Sequence, residues 1–213
     1  MKLAAIGLAW FGYFVLHSLL AAAAIKTYVG TCCPRMVPAY RAVYNFIAAV
    51  ALLPVLWLVY GAESAWLWQW QGYWAWLANG GALLSVLCFY LSTRVYDMGE
   101  FLGLRQLAEH GEPVPQKFTL SPFHRFVRHP WYCCSLVLIW TRDMNGPLLI
   151  SALAITLYFI IGSRLEEHKL IAGFGETYRR YMAKVPGLVP LPWRYLTRAE
   201  ANALTERNKP TAR

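Results

Sequence analysis

Charge is scarce in this chain, and acidic charge is the scarcest of all. Asp and Glu together number 11 against 20 Lys and Arg, and these four types make up only 15% of the 213 residues. Soluble domains average about 25%. Hydrophobic residues make up 58%, more than one water-soluble core of a chain this long can bury. The composition excludes a soluble globular domain and predicts an integral membrane protein.

Cysteine is also sparse, with five in the chain, and its spacing lacks the C-x-x-C pairs of redox and zinc sites. Cys32-Cys33 and Cys133-Cys134 are adjacent pairs instead. His129 and Cys133 lie four residues apart and could share a helix face, but no second ligand pair lies nearby. We predict no metal site. No nucleic-acid motif accompanies the net charge of +9, which anionic membrane lipid explains as a partner.

Apolar runs long enough to cross a bilayer recur along the chain. A helix of about 20 apolar residues spans the roughly 30 Å hydrocarbon layer. The predicted spans are Leu3 to Ile25, Val43 to Tyr60, Trp74 to Leu91, Trp131 to Trp140 and Pro147 to Gly162. The fourth is short for a crossing, and with the fifth it is expected to form a helical hairpin over residues 129–163. The predicted fold class is all-α integral membrane, with about five transmembrane helices and a cytosolic, interfacial C-terminal segment.

The positions of Lys and Arg predict the orientation, because positive residues accumulate in cytoplasmic loops. The links after the first and third predicted spans and the C-terminal tail are basic, and Lys117 lies in the second of these links. Residues 61–73, between the second and third spans, carry no Lys or Arg but are rich in Trp. This alternation predicts a multi-pass protein with its N-terminus outside and its C-terminus in the cytosol.

One cluster of polar residues precedes the fourth predicted span: Arg128, His129, Pro130 and Tyr132. Proline suits the first turn of a helix, where its missing N–H has no partner. Arg128 and His129 would then stand beside exposed backbone N–H groups, which favour an anion such as a carboxylate. For Arg128 alone, contact with lipid headgroups is the better interpretation. For the whole cluster, a binding site is the better one.

A second cluster, Arg164, Glu166 and Glu167, lies at the cytosolic end of the fifth predicted span. Acidic residues oppose the helix dipole at a C-terminus, and ionisable residues at a membrane edge are functional candidates by default. An interfacial ion pair between Glu167 and a neighbouring Lys or Arg is an equally weighted alternative. The sequence leaves both interpretations open.

These clusters, in their order and spacing, resemble the isoprenylcysteine carboxyl methyltransferase superfamily. The matching motifs, within Leu120 to Pro190, are Arg128-His129-Pro130-x-Tyr132, Glu166-Glu167-x-x-Leu170 and Phe174-Gly175-x-x-Tyr178-x-x-Tyr181-x-x-x-Val185-Pro186. Upstream, the block Phe101-Leu102-Gly103-Leu104-Arg105-Gln106 is similar to one in the branch that contains methanethiol S-methyltransferases. The resemblance divides the chain into a transmembrane bundle over residues 1–92 and a catalytic part over residues 93–213.

The resemblance implies S-adenosylmethionine as cofactor, held between the fourth and fifth predicted helices and capped by the C-terminal segment. The candidate cofactor-binding residues are Arg128, His129, Pro130, Tyr132, Glu166, Glu167, His124 and Gln106. The candidate catalytic residues are His129 and Arg164. The chain departs from the family at His124, where a tyrosine is common, at Cys134, where a small residue is common, and at Gly162, where prenylcysteine enzymes carry an arginine. These departures argue against a prenylcysteine carboxylate as the substrate. We expect a small or lipophilic acceptor that enters from the bilayer, and the resemblance of the block Gly103-Leu104-Arg105-Gln106 puts a small thiol first.

The donor carries an amine and a carboxylate that these residues could hold. Glu166 or Glu167 could pair with the amine, and His129 or Arg128 with helix-start amides could hold the carboxylate. A thiol acceptor must lose a proton, and His129 and His124 both have suitable intrinsic pKa values. The residues do not decide between the two histidines. A second hypothesis, from another class, is a non-catalytic membrane accessory protein of the denitrification-associated type.

His17 stands inside the first predicted span. A histidine in a transmembrane helix more often makes an interhelical hydrogen bond, for instance to a facing tyrosine, than it lines a pocket. We expect such a hydrogen bond.

Overall fold

The structure, a computed structural model, describes residues 2–94, 96–109 and 118–206. Lys117 of the predicted cytosolic link lies outside them. The elements are α1 (Lys2–Ala21), α2 (Ala23–Cys32), a 3-10 turn (Pro34–Met36), α3 (Tyr40–Tyr60), β1 (Trp66–Trp68), α4 (Gly72–Thr93), α5 (Met98–Leu102), α6 (Leu104–Glu109), a second 3-10 turn (Pro122–Arg125), α7 (Pro130–Trp140), β2 (Met144–Asn145), α8 (Gly146–Lys184) and α9 (Arg198–Glu206).

Within the described residues, four helices are long and apolar enough to cross a membrane: α1, α3, α4 and α8. They coincide with the first, second, third and fifth predicted spans, which confirms an all-α, multi-pass membrane protein. The fourth predicted span is α7, which has 11 residues. At a rise of 1.5 Å per residue it is about 16 Å long, roughly half of the hydrocarbon layer. Five full crossings are therefore not confirmed.

The chain divides into two compact units. The first contains Met1–Gln69, Tyr96–Val114 and Asp143–Ile155, and the second contains Trp70–Val95, Pro115–Arg142 and Thr156–Arg213. Helix α8 begins in the first unit and continues in the second. The predicted boundary at residue 92, a division by function, stays a prediction.

The core of the first unit forms where α1 packs on α3. Ile6 and Trp10 on α1 meet Val55 and Val59 on α3, all at most 5% exposed. Each pair is four residues apart, so its two side chains lie on one face of their helix. The indole of Trp10 donates to the Ser151 hydroxyl, 2.8 Å away, which satisfies the indole N–H as it is buried.

His17 and Tyr44 connect the same two helices through their polar groups. Nε2 of His17 lies 2.7 Å from the hydroxyl of Tyr44. The expected interhelical hydrogen bond of His17 is therefore confirmed. In the same unit, β1 and β2 pair antiparallel, with Trp66 opposite Asn145 and Trp68 opposite Met144.

In the second unit, α7 packs between two longer helices. Its Trp131 indole donates to the hydroxyl of Ser92 on α4, 2.7 Å away. At the other end of α7, the Trp140 indole donates to the hydroxyl of Thr156 on α8, 3.0 Å away. The start of α7 contacts α8 near residue 167, so α7 runs antiparallel to residues 156–167 of α8. This antiparallel pair is the predicted hairpin, with one arm half as long as a crossing.

A glycine bends α8 after Glu166 and Glu167. Gly175 has φ of 54° and ψ of −127° inside the helix, a backbone conformation that is costly for residues with a Cβ. Beyond it, Tyr178, Tyr181 and Val185 are buried with Phe118, and Leu196 and Ala201 complete this core. The bend of α8 therefore occurs at Gly175. It allows the C-terminal segment to build a core of its own.

Candidate active site

The chain segment before α7 is bound to the loop after α8. Pro130 is the first helical residue of α7 and His129 its N-cap, as the missing proline N–H predicts. The backbone N–H of Arg128 donates to the carbonyl of Pro186 at 2.8 Å, and that of His129 to the carbonyl of Gly187 at 3.1 Å. These two bonds fix the backbone from which both side chains project. We call Arg128, His129, Tyr132, Glu166 and Glu167 the His129 cluster.

Arg128 and Glu167 form a buried ion pair at the centre of this cluster. Nε and Nη2 of Arg128 lie 2.8 and 2.7 Å from Oε1 of Glu167, and the two side chains are 12% and 7% exposed. Nη1 of Arg128 also donates to the carbonyls of Met182, at 3.3 Å, and Val185. The guanidinium therefore binds the carbonyls that end α8, where a cation is favoured. The ion pair that the sequence left open for Glu167 is present.

His129 lies between the two carboxylates. Its Nε2 is 3.1 Å from Oε1 of Glu167, and its Nδ1 is 3.4 Å from Oε2 of Glu166. An ionised carboxylate only accepts hydrogen bonds. Both ring nitrogens of His129 therefore lie against acceptor oxygens, and the contact of Nε2 with Glu167 has the geometry of a hydrogen bond. The ring, 5% exposed, links the two glutamates.

Tyr132 positions the more exposed glutamate. Its ring stacks on His129, with centroids 5.4 Å apart and an angle of 9°, and on Phe159, at 4.5 Å and 3°. Its hydroxyl reaches Oε2 of Glu166 at 3.4 Å. Glu166 is 49% exposed, and within the described part of the chain its Oε1 makes no hydrogen bond. This half-exposed side chain therefore has one carboxylate oxygen without a hydrogen bond among the described residues.

His124 is held by Ser121, three residues earlier. Nδ1 of His124 lies 3.2 Å from the backbone N–H of Ser121 and 2.7 Å from its hydroxyl. The Tyr181 hydroxyl donates to the carbonyl of His124 at 2.7 Å. Burial, and next the charge of His129, lower the pKa of His124 to about 4, although the charge of Glu166 acts in the opposite direction. His124 is therefore neutral at physiological pH.

The structure does not bring Arg164 and Gln106 into hydrogen bonds with this cluster. Arg164 is exposed, and its bond is made by its backbone carbonyl, 2.7 Å from Nδ1 of His168. Gln106 belongs to the first unit, where its amide donates to the carbonyl of Glu100 at 3.1 Å and its buried Oε1 has no partner among the described residues. A catalytic role for Arg164 and a cofactor contact of Gln106 stay predictions.

In the sequence block from Phe101 to Gln106, the local structure explains why residue 103 is a glycine. Gly103 has φ of +84°, and a Cβ there would lie 2.6 Å from the backbone nitrogen of Ala42 on α3. The amide of Asn45 donates to the carbonyl of Leu102 at 3.1 Å, and the Arg41 guanidinium lies 5.7 Å from the Phe101 ring centroid. Only glycine allows so close an approach of α5 and α6 to α3.

Sequence reasoning missed Ser121. Its hydroxyl and backbone N–H both face the imidazole of His124, which stands where a capping box usually has Glu or Gln. The signal was a Ser-Pro pair at the start of a turn, with an acceptor three residues after the serine. The His129 cluster itself was identified from the sequence, but the partner of each side chain was not.

Comparisons with known proteins give one consistent result. No family model and no solved structure matches the chain. It is 33% identical over 182 residues to Methanethiol S-methyltransferase 2 of Bradyrhizobium diazoefficiens, covering 84% of this chain and 69% of that protein. It is 31% identical over 189 residues to the Methanethiol S-methyltransferase of Pseudomonas deceptionensis, covering 84% and 69%. It is 30% identical over 198 residues to that of Mycobacterium tuberculosis, covering 86% and 76%.

Together with the helical membrane fold, these relatives define the class: the chain is a membrane-embedded methyltransferase. It belongs to the methanethiol S-methyltransferase family. The resemblance stated from the motifs is confirmed. The accessory-protein alternative is not favoured.

Proposed function

We propose that this enzyme transfers a methyl group from S-adenosylmethionine to a small thiol at the cytosolic face of the membrane. The observation that supports it best is the His129 cluster, because it combines a fixed, buried ion pair with one half-exposed carboxylate. The choice of a thiol rests on the names of the relatives.

The residues present fit the polar end of that cofactor. The available Oε1 of Glu166 suits its ammonium group, since charge-assisted hydrogen bonds are the stronger ones. When bound, S-adenosylmethionine supplies a methyl group made electrophilic by its sulfonium sulfur. Tyr132 and His129 hold Glu166 in place through its other oxygen, Oε2. Arg128 and Glu167 hold the imidazole of His129 and the loop that follows α8 in place.

Arg164 is proposed to act on the acceptor. It lies two residues before Glu166, at the end of the apolar part of α8, and its guanidinium is exposed. An exposed cation at the membrane surface attracts an anionic acceptor. A lipid-soluble thiol would reach the same helix end from the bilayer, which is the reason to expect a lipophilic as well as a small acceptor.

Binding of S-adenosylhomocysteine tests the site directly. Wild-type protein purified in detergent should release heat on titration and gain thermal stability, because a ligand that binds only the folded state stabilises it. Glu166→Gln removes the negative charge opposite the ammonium and should abolish both signals. Glu176→Gln is the matched control, since Glu176 is an exposed glutamate of the same helix that pairs with Arg180. It should bind as the wild type does.

The same measurement separates the two hypotheses. A wild type that shows neither heat nor a thermal shift would favour the non-catalytic accessory protein. Equal binding of S-adenosylhomocysteine by Glu166→Gln and Glu176→Gln would show that Glu166 does not bind the ligand, but it would not decide whether the protein transfers methyl groups. His129→Ala should also abolish binding, because it removes the group that connects both glutamates.

A further inference from the structure

The hydrogen bonds of His124 determine which ring nitrogen carries its proton. A backbone N–H can only donate, so Nδ1, 3.2 Å from the backbone nitrogen of Ser121, must offer a lone pair. The hydroxyl of Ser121, 2.7 Å away, donates to the same atom. Turning the ring by half a rotation would put a C–H group there and lose both bonds. The proton of the neutral ring therefore lies on Nε2.

Neither nitrogen of His129 is open to an acceptor. Its Nε2 is 3.1 Å from Oε1 of Glu167, with hydrogen-bond geometry, and its Nδ1 is 3.4 Å from Oε2 of Glu166. Because the side chain is 5% exposed, a thiol would have to displace a glutamate to reach either atom.

We propose that neither histidine of this site is a general base, and that the enzyme takes its thiol acceptor already ionised, as the thiolate. The inference rests on the proposed function, because it concerns the acceptor of that same site. His124 is a neutral donor through Nε2–H, and His129 is a positioning residue that lies between Glu166 and Glu167.

The charged surroundings of both rings agree with these roles. His129 is faced by Glu166 and Glu167 from α8, by Arg128 from its own segment, and by Tyr132 from α7. His124 experiences the charges of His129 and Glu166. Its only route to a second proton is through Nδ1, and that would cost both hydrogen bonds from Ser121.

The acceptor must therefore lose its proton before it binds. Its S–H bond breaks heterolytically, the electron pair stays on sulfur, and the proton passes to water or buffer. A simple aliphatic thiol is less acidic than the cysteine side chain, whose pKa is about 8.5, and is therefore mostly protonated at neutral pH. The pH dependence should then follow the acidity of the thiol and not that of a protein group.

The first experiment compares two thiols of different acidity, ethanethiol and the more acidic thiophenol. For each, kcat/KM should rise about tenfold per pH unit and level off near the pKa of that thiol, so the plateau begins at lower pH for thiophenol. His124→Gln keeps an N–H donor but cannot titrate, so whatever its rate, its two profiles should level off at the same pH values as those of the wild type. A plateau at one shared pH for both thiols, or one displaced by His124→Gln, would overturn the proposal.

The second experiment reads the protonation state of His124 without turnover. Nitrogen-15 NMR of histidine-labelled protein should show His124 protonated at Nε2 alone across neutral pH. His124→Gln assigns this signal by its loss, and His168→Gln is the control, because His168 is exposed and outside the His129 cluster. An Nδ1 proton on His124 would contradict the inference even if methyl transfer occurs. Absence of both S-adenosylhomocysteine binding and transfer would instead refute the proposed function on which it rests.

Discussion

Glu166 and Glu167 are adjacent in sequence but lie in opposite environments. Glu167 is 7% exposed and binds Arg128 and His129, whereas Glu166 is 49% exposed and leaves one oxygen open. Neighbouring helix residues point about 100° apart, so a single pair of glutamates can face both a protein interior and a ligand. The sequence motif contains both residues but does not say which one has which role.

Substitution should separate these roles. Glu167→Gln leaves Arg128 buried without its counter-charge, and breaking a buried pair this way costs about 3–5 kcal/mol. We expect a clearly lower thermal midpoint for the ligand-free protein in detergent. Glu166→Gln should leave that midpoint nearly unchanged while abolishing S-adenosylhomocysteine binding.

Equal midpoints for the two variants would contradict the assignment of Glu167 as the structural member. Arg128→Met offers a further check. The double variant Arg128→Met, Glu167→Gln removes both charges, so its thermal midpoint should fall by less than the sum of the decreases in the two single variants.

At the scale of elements, hydrophobicity alone does not distinguish α7 from a helix that crosses the whole membrane. Its 11 residues are apolar enough to resemble a span, but a crossing needs about 20. Arg142 follows directly and donates to the side chain of Asn79 at 3.1 Å and to the carbonyl of Ala78 at 3.3 Å, both on α4. These two bonds attach the turn after α7 to α4.

The bend of α8 provides a prediction with a built-in control. Gly175→Ala would place a Cβ at φ of +54°, and such backbone strain costs about 1–3 kcal/mol. Gly173→Ala adds a Cβ with nothing within 4 Å and no positive φ, so higher helix propensity should make it neutral or stabilising by up to about 1 kcal/mol. Thermal midpoints in detergent measure both.

The strain should also reach the site, because residues beyond the bend supply carbonyls to Arg128. S-adenosylhomocysteine should bind more weakly to Gly175→Ala than to Gly173→Ala. Identical midpoints and affinities for the two variants would show that the bend is not required.

At the scale of the whole molecule, the orientation in the membrane is open to a direct test. The basic links, and the Trp-rich link without Lys or Arg, predict that Gln71 faces outside and Pro192 the cytosol. Reporter fusions active only in the cytosol or only outside should therefore give opposite results at these two positions. The same signal from both would refute the predicted topology.

The sequence by itself determined the class of this protein. Hydrophobic content and the length of apolar runs are sums over neighbouring residues, so they predicted a helical membrane protein and four of its long helices without any knowledge of packing. The order of the motifs, from the Arg-His-Pro element to the paired glutamates, likewise identified the family and indicated the candidate site.

The tertiary structure decided what those residues do. Arg128 and Glu167 are separated by 39 positions, and Ser121 acts on His124 only because a turn folds its donors onto one nitrogen. Partner, exposure and protonation depend on which atoms meet in space, and short-range hydrogen bonds fix them within a few tenths of an ångström. For that reason only the folded arrangement distinguishes the buried glutamate from the open one, and a donor histidine from a base.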